Sequence, residues 1–134
     1  MTSSRRIAIA RDADIVAARL AGRELATEAG FKGSDLTLIA TAISEVARNI
    51  VVYAGDGEIS LAVLQNEHRK GLSVVARDQG PGIPDIERAM QDGFSTGNSL
   101  GLGLPGARRL MDEFEIESHV GQGTTITMRK WTRG

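Results

Sequence analysis

Apolar residues recur along the chain with two different periods, and the change from one to the other marks out its elements. After a short apolar segment at Ile7 and Ile9, residues Ile15, Ala18, Gly22, Leu25 and Ala29 return at intervals of three and four. That spacing places them on one face of a helix, with Asp12 as its N-cap and Gly30 at its end. A second helix starts at Ser34 or Asp35, buries a stripe of Ile39, Ile43, Val46 and Ile50, and runs to the turn Gly55-Asp56-Gly57. The stripe makes this helix amphipathic, and the glycines stop it.

The period then shortens to two. Ile59, Leu61 and Val63, and after a polar turn Leu72, Val74 and Ala76, alternate with other residues as the strands of a β-hairpin do. A Gly/Pro-rich turn at 80–84 leads to a short helical stretch at 86–90 and a Gly-rich segment at 93–103. A third helix follows Pro105. The chain closes with strands at 114–119 and 124–131, joined through Gly121-Gln122-Gly123. Helices set among such strands predict an α/β two-layer sandwich: one domain, 1–134, with helices covering one face of a mixed, mostly antiparallel sheet.

Composition narrows the function by exclusion. Sixteen Lys and Arg against seventeen Asp and Glu leave a net charge of -1, which offers no overall basic field for nucleic acid or anionic lipid. The absence of cysteine removes thiol chemistry, disulfides and cysteine zinc sites, and two histidines, His68 and His119, are too few for a metal cluster. No leader-like segment opens the chain and no apolar run is read as spanning a bilayer, so a cytoplasmic setting is expected. His68 and His119 are assigned to the surface, and Met90, Met111, Phe114 and Trp131 to packing. Arg108 and Arg109 could reach a phosphate or simply face solvent.

Three places carry possible chemistry. Asp78 shares strand parity with Leu72, Val74 and Ala76, so its carboxylate points to the core side, where it needs a hydrogen-bond donor such as a ligand amino group. The same residue could equally serve to open the turn Asp78-Gln79-Gly80-Pro81-Gly82. Glu45 and Asn49 stand one helical turn apart beside the buried stripe. An amide oxygen suits a hard cation and a carboxylate can orient or deprotonate a hydroxyl, although a solvated Glu beside a polar neighbour is the plainer reading.

The tract from Gly93 to Gly106 places free backbone N–H groups ahead of a helix, where phosphates bind, or is a loop without ligand. Gly101, Gly103 and Gly106 match G-x-G-x-x-G, yet no strand leads into them and no acidic residue follows at the distance a dinucleotide fold requires. A Walker loop and the motifs of ordinary protein kinases are also absent. Residues 95–103 are too small and polar to bury an apolar face, which predicts a lid that is mobile without ligand and ordered by a bound phosphate compound.

Taken in chain order, Glu45-Val46-Ala47-Arg48-Asn49, Asp78-Gln79-Gly80-Pro81-Gly82, Gly101-Leu102-Gly103 and Gly123-Thr124 resemble the N, G1 and G2 boxes and the closing Gly-Thr of the GHKL (Bergerat-fold) ATPase superfamily. The resemblance implies that Asp78 accepts the adenine amino group, with Thr124 near a water beside it. It implies Asn49 as the Mg²⁺ ligand and Glu45 as the general base. Gly80 and Gly82 would admit the nucleotide to the backbone, and Gly101 and Gly103 would bind phosphate.

Within the superfamily the chain resembles the stand-alone serine/threonine kinases that regulate bacterial sigma factors, and most closely the stressosome switch kinases. The stretches Ala-Ile-Ser-Glu-Val-Ala-Arg-Asn-Ile and Gly-Leu-Pro-Gly-Ala-Arg-Arg-Leu-Met-Asp-Glu-Phe carry that likeness. It implies ATP and Mg²⁺ as cofactors, a STAS-domain protein of the stressosome scaffold as substrate, and a PP2C-type phosphatase activated by the released kinase. An anti-sigma factor kinase would share every residue of the ATP site. A nucleotide-regulated binding module with little turnover is the alternative from another class.

Overall fold

The computed structural model describes residues 3–83, 90 and 103–133. Strand β1 (Ser4–Ile9) leads into helix α1 (Asp12–Ala29), and α2 (Ser34–Asn49) continues into a π-helical turn, Ile50–Ala54. The hairpin β2 (Gly57–Gln65) and β3 (Lys70–Asp78) comes next, then α3 (Gly103–Leu110), β4 (Glu113–His119) and β5 (Gly123–Trp131). Among the described residues every strand pairing is antiparallel, in the order β1-β2-β3-β5-β4. The α/β two-layer sandwich is as the periodicity predicts.

Burial follows the same parity. Ile59 and Leu61 of β2, Leu72, Val74 and Ala76 of β3, and Ile126 and Met128 of β5 point into the core, where Ile39, Ile43, Val46 and Ile50 of α2 meet them. Alternate residues such as Ser73, Val75 and Thr127 lie on the opposite face. Helix α2 runs between α1 and α3 and is buried from Ile39 to Ala47 apart from the half-buried Thr41. Its approach to α1 depends on Gly22, because a Cβ there would collide with Cδ1 of Ile43.

Local details differ from the sequence expectation at the helix starts. Asp12 is the first residue of α1 rather than its cap; the capping position is Arg11, and the Asp14 carboxylate reaches back to accept the N–H groups of Ala10 and Arg11 at 2.8 and 3.2 Å. Two carboxylates in the first turn also complement the helix dipole. Helix α2 is capped by Gly33, at φ 63, rather than by Ser34 or Asp35. The helix after Pro105 begins two residues earlier, at Gly103.

Contrary to the expectation that no apolar run could span a bilayer, the helical run 34–54 is, by length and a mean hydropathy of 1.3, apolar enough to cross one. Half of it is buried inside the protein and it carries Glu45 and Arg48, so it is accounted for as the core helix of the sandwich. Met90 and Met111 join the core as expected, and Phe114 packs against it. Trp131 instead lies partly exposed, with the Arg69 guanidinium 5.6 Å from its ring centroid.

Candidate nucleotide site

Strand pairing alone lines up four residues across the sheet at one end. Gly57 of β2 faces Asp78 of β3, Asp78 faces Thr124 of β5, and Thr124 faces Ser118 of β4. Directly opposed side chains share a face, so a carboxylate and two hydroxyls form one row on the helix-covered side. The end of α2 closes over this row. A Cβ added to Gly57 would lie 2.9 Å from Ile50 Cγ2 and 3.1 Å from Asp78 Cβ, so Asp78 and the residue after Asn49 both abut the same glycine.

The turn-opening reading of Asp78 is the one the fold displays. Its Oδ1 accepts the N–H of Gly80 at 2.9 Å and so shapes the turn that follows. That bond uses one oxygen, and a carboxylate has another to offer a donor. The turn is held from two directions: a Cβ on Gly80 would come within 2.6 Å of Ala54 Cβ, and Gly82, at φ 79, packs against the backbone of His119. Left-handed backbone at Gly82 favours glycine, and a Cβ at either position would clash with neighbouring chain, so both G1-like glycines are needed for packing within the protein. The N–H of Gly121 donates to the Pro81 carbonyl at 2.8 Å, fastening the β4–β5 turn to the same loop.

Thr124 is 5% exposed, and its Oγ1 lies 2.8 Å from Ser118 Oγ. Ser118 also accepts the N–H of Ile83 at 2.7 Å. Glu45 is likewise 5% exposed, which removes the reading of a solvated surface acid; its Oε1 accepts a 3.0 Å bond from Arg48 Nη1. Asn49, half-buried, ends α2 where the helix widens into the π turn. Its amide oxygen is a hard donor. No cluster of three or more His, Cys, Asp or Glu side chains placed to hold a metal ion occurs among the described residues.

Gly103 opens α3 at φ 56. Gly101 and the segment expected to form the lid, 95–103, apart from Gly103, lie outside the described residues, as does the helical stretch expected at 86–90 apart from Met90. Arg108 and Arg109 are exposed on α3, and His68 and His119 are exposed as expected.

Two residues of the site were passed over in the sequence. Ser118 shares parity with Phe114 and Ile116, and counting back across the Gly121-Gln122-Gly123 turn would have set it opposite Thr124. Arg48 follows Glu45 by three positions, the spacing of neighbours on a helix.

The family model described as a histidine kinase-like ATPase domain matches residues 9–130. The serine/threonine-protein kinase RsbT of Bacillus subtilis is 56% identical over 120 residues, 90% of each chain. The anti-sigma F factor of Geobacillus stearothermophilus is 37% identical over 103 residues, 72% of this chain and 69% of that one. Among solved structures, the RsbU and RsbW domains of Rv1364c from Mycobacterium tuberculosis superpose with a TM-score of 0.61 at 27% identity. The match covers 96% of this chain and 31% of that longer one. The mycobacterial sensor histidine kinase MprB, at 18% identity and a TM-score of 0.56, shares the fold.

Proposed function

The chain belongs to the histidine kinase-like ATPase domain family, and on that premise we propose that it is a Mg-dependent serine/threonine protein kinase acting on a STAS-domain protein of a stressosome. The observation that carries the chemistry is the enclosed Glu45 on the same helical face as Asn49, at the end of α2 that closes over the Asp78–Thr124 row. The observation that carries the branch is the 56% identity to RsbT over nine-tenths of both chains.

In this reading Asp78 accepts the amino group of adenine, and Thr124 lies beside it, directly or through a water. Asn49 holds Mg²⁺, which when bound neutralises phosphate charge. Gly80 and Gly82 shape the loop against the base, and Gly101 and Gly103 offer backbone N–H groups to the phosphates at the start of α3. Glu45 orients the hydroxyl of the partner's serine or threonine and takes its proton as the oxygen attacks the γ-phosphorus. The bond from that phosphorus to the β–γ bridging oxygen breaks, and ADP leaves. Positioning and charge stabilisation supply most of the rate. The setting is the cytoplasm, and the released kinase activates a PP2C-type phosphatase.

Incubation with labelled ATP, Mg²⁺ and a panel of STAS-domain proteins and sigma factors tests this. Label on a STAS serine or threonine, without sigma binding, is the expected result. Tight binding of a sigma factor would instead favour an anti-sigma factor kinase, the reading the 37% identity to an anti-sigma F factor supports. Nucleotide binding with no transfer to any protein of the panel would leave a nucleotide-regulated binding module.

A further inference from the structure

Glu45 is almost wholly buried, yet its two carboxylate oxygens are not equivalent. Oε1 accepts an N–H of Arg48 Nη1 at 3.0 Å. Oε2 has no hydrogen-bond partner among the described residues, and among those residues no side-chain oxygen is both fully enclosed and unpartnered. Oε2 therefore keeps an opening to solvent. One oxygen is held by the protein, and the other is left for something that arrives from outside.

The geometry of α2 explains the pairing. Side chains on a helix lean toward its N-terminus, so residue 48 reaches back over the turn that carries residue 45. Arg48 and Asn49 stand side by side one turn beyond Glu45, at three and four residues, and both are half-buried. The terminal torsion of a glutamate is broad, so a carboxylate without a fixed partner can present either oxygen at a range of angles. A base works only when its accepting oxygen lies within hydrogen-bond reach of the hydroxyl it deprotonates. A short charge-assisted bond to one oxygen removes that freedom from the other.

We propose that Arg48 is a positioning residue of the phosphotransfer site: by holding Oε1 it fixes Oε2 as the atom that receives the proton of the partner's serine or threonine. This role rests on Glu45 being the base, as proposed above. The proton balance agrees with it. Before transfer Glu45 is a carboxylate, with Oε1 on Arg48 and Oε2 open. As the substrate oxygen bonds to the γ-phosphorus and ADP leaves, the substrate proton passes to Oε2. Oε1, now the carbonyl oxygen of a neutral acid, still accepts from Arg48. Arg48 neither gives nor takes a proton, because a guanidinium stays charged throughout.

The test is single-turnover transfer from labelled Mg-ATP to the STAS-domain protein that the wild type labels, with calorimetric ATP binding alongside, in Arg48→Met, Arg48→Ala and Arg48→Lys. Methionine keeps an unbranched stem without the donor, and lysine keeps a charged donor. Methionine and alanine should slow transfer by about tenfold or more, the scale of a hydrogen bond to a charged group, with ATP affinity near that of the wild type; lysine should recover most of the rate. In a Glu45→Ala background, read over long incubations, Arg48→Met should cost nothing further, because Arg48 acts only through the carboxylate. Wild-type transfer by Arg48→Met overturns the proposal. An equal loss in the Glu45→Ala background also overturns it, since the guanidinium would then act on the phosphates, and so does a loss confined to ATP affinity. If alanine prevents folding, methionine decides by the same rates. Transfer by Glu45→Ala at the wild-type rate removes the base and this role with it, whereas a wild type that labels no STAS-domain protein overturns the kinase reading itself.

Discussion

The two ends of the same sheet hold their polar side chains in opposite ways. At the end where β3 starts and β5 finishes, Glu113 takes the Trp131 indole N–H on Oε2 at 2.8 Å and Arg129 on Oε1 at 3.1 Å, so both oxygens are occupied. Asp112 accepts the Trp131 backbone N–H, Lys130 donates to the Leu110 carbonyl, and Arg69 covers the tryptophan ring. A cleft of about 320 Å³ lies there, with Asp35 and Arg133 also on its wall. At the other end, Asp78 has one oxygen committed to Gly80, and Thr124 and Ser118 share protons within a buried row. A cleft whose donors and acceptors satisfy one another is a fastening of the fold. A polar row with capacity left over is where a ligand can be recognised.

The largest effect that would sharpen this contrast belongs to Glu45. Replacing it with Gln should cut phosphotransfer by roughly 10²–10⁴-fold, the range for a lost general base, while nucleotide affinity stays near that of the wild type. Unchanged transfer rates in single-turnover assays would remove Glu45 from the chemistry. Next in size, Asp78→Asn should weaken ATP binding by about 10–100-fold, as expected for a hydrogen bond to a charged group, and lower the unfolding free energy far less. Calorimetry beside thermal melting separates the two, and wild-type affinity in the folded variant would take Asp78 out of the base pocket.

A change away from both ends should move stability alone. Gly22→Ala drives a methyl group into Ile43 at the α1–α2 contact and should cost about 1–3 kcal/mol, partly offset by the better helix propensity of alanine. Denaturant titration should show the loss with ATP affinity intact; a more stable variant would mean that Ile43 can turn aside.

The smallest effect lies at the self-satisfied end. The Trp131 hydrogen bond, then the Arg129 guanidinium, holds the Glu113 carboxyl below its ordinary 4.5. A carboxylate whose folded value is lowered stabilises the fold above the unfolded value and loses that contribution as pH falls through the folded one. Trp131→Phe should therefore flatten the melting temperature's decline below about pH 4.5 and leave phosphotransfer unchanged. A loss of transfer would show that this end of the sheet is part of the working surface.

Much of the fold was legible in the residues themselves, because periods of 3.6 and 2 are local properties. The α2 stripe of Ile39, Ile43, Val46 and Ile50 is buried as read, and the parity that set Asp78 on the core side of β3 holds. The helix caps were not legible, since several acidic and small residues at each start could serve, and Arg11 and Gly33 were chosen by the path of the chain. The burial of Glu45 could not be read either: its own helix leaves it on the border of the apolar stripe, and only the packing around α2 encloses it.

What the sequence determined by itself is the set of elements, the facing of Asp78, Glu45 and Asn49, and a motif order specific enough to carry a family. What tertiary structure alone decided is which of these residues meet. Gly57, Asp78, Thr124 and Ser118 come from four strands spread over 68 residues' worth of numbering, from 57 to 124, and they form one row because β5 inserts between β3 and β4. The register of that insertion is set by the core residues of every strand at once. A side chain's partner across a sheet therefore cannot be read from its own segment.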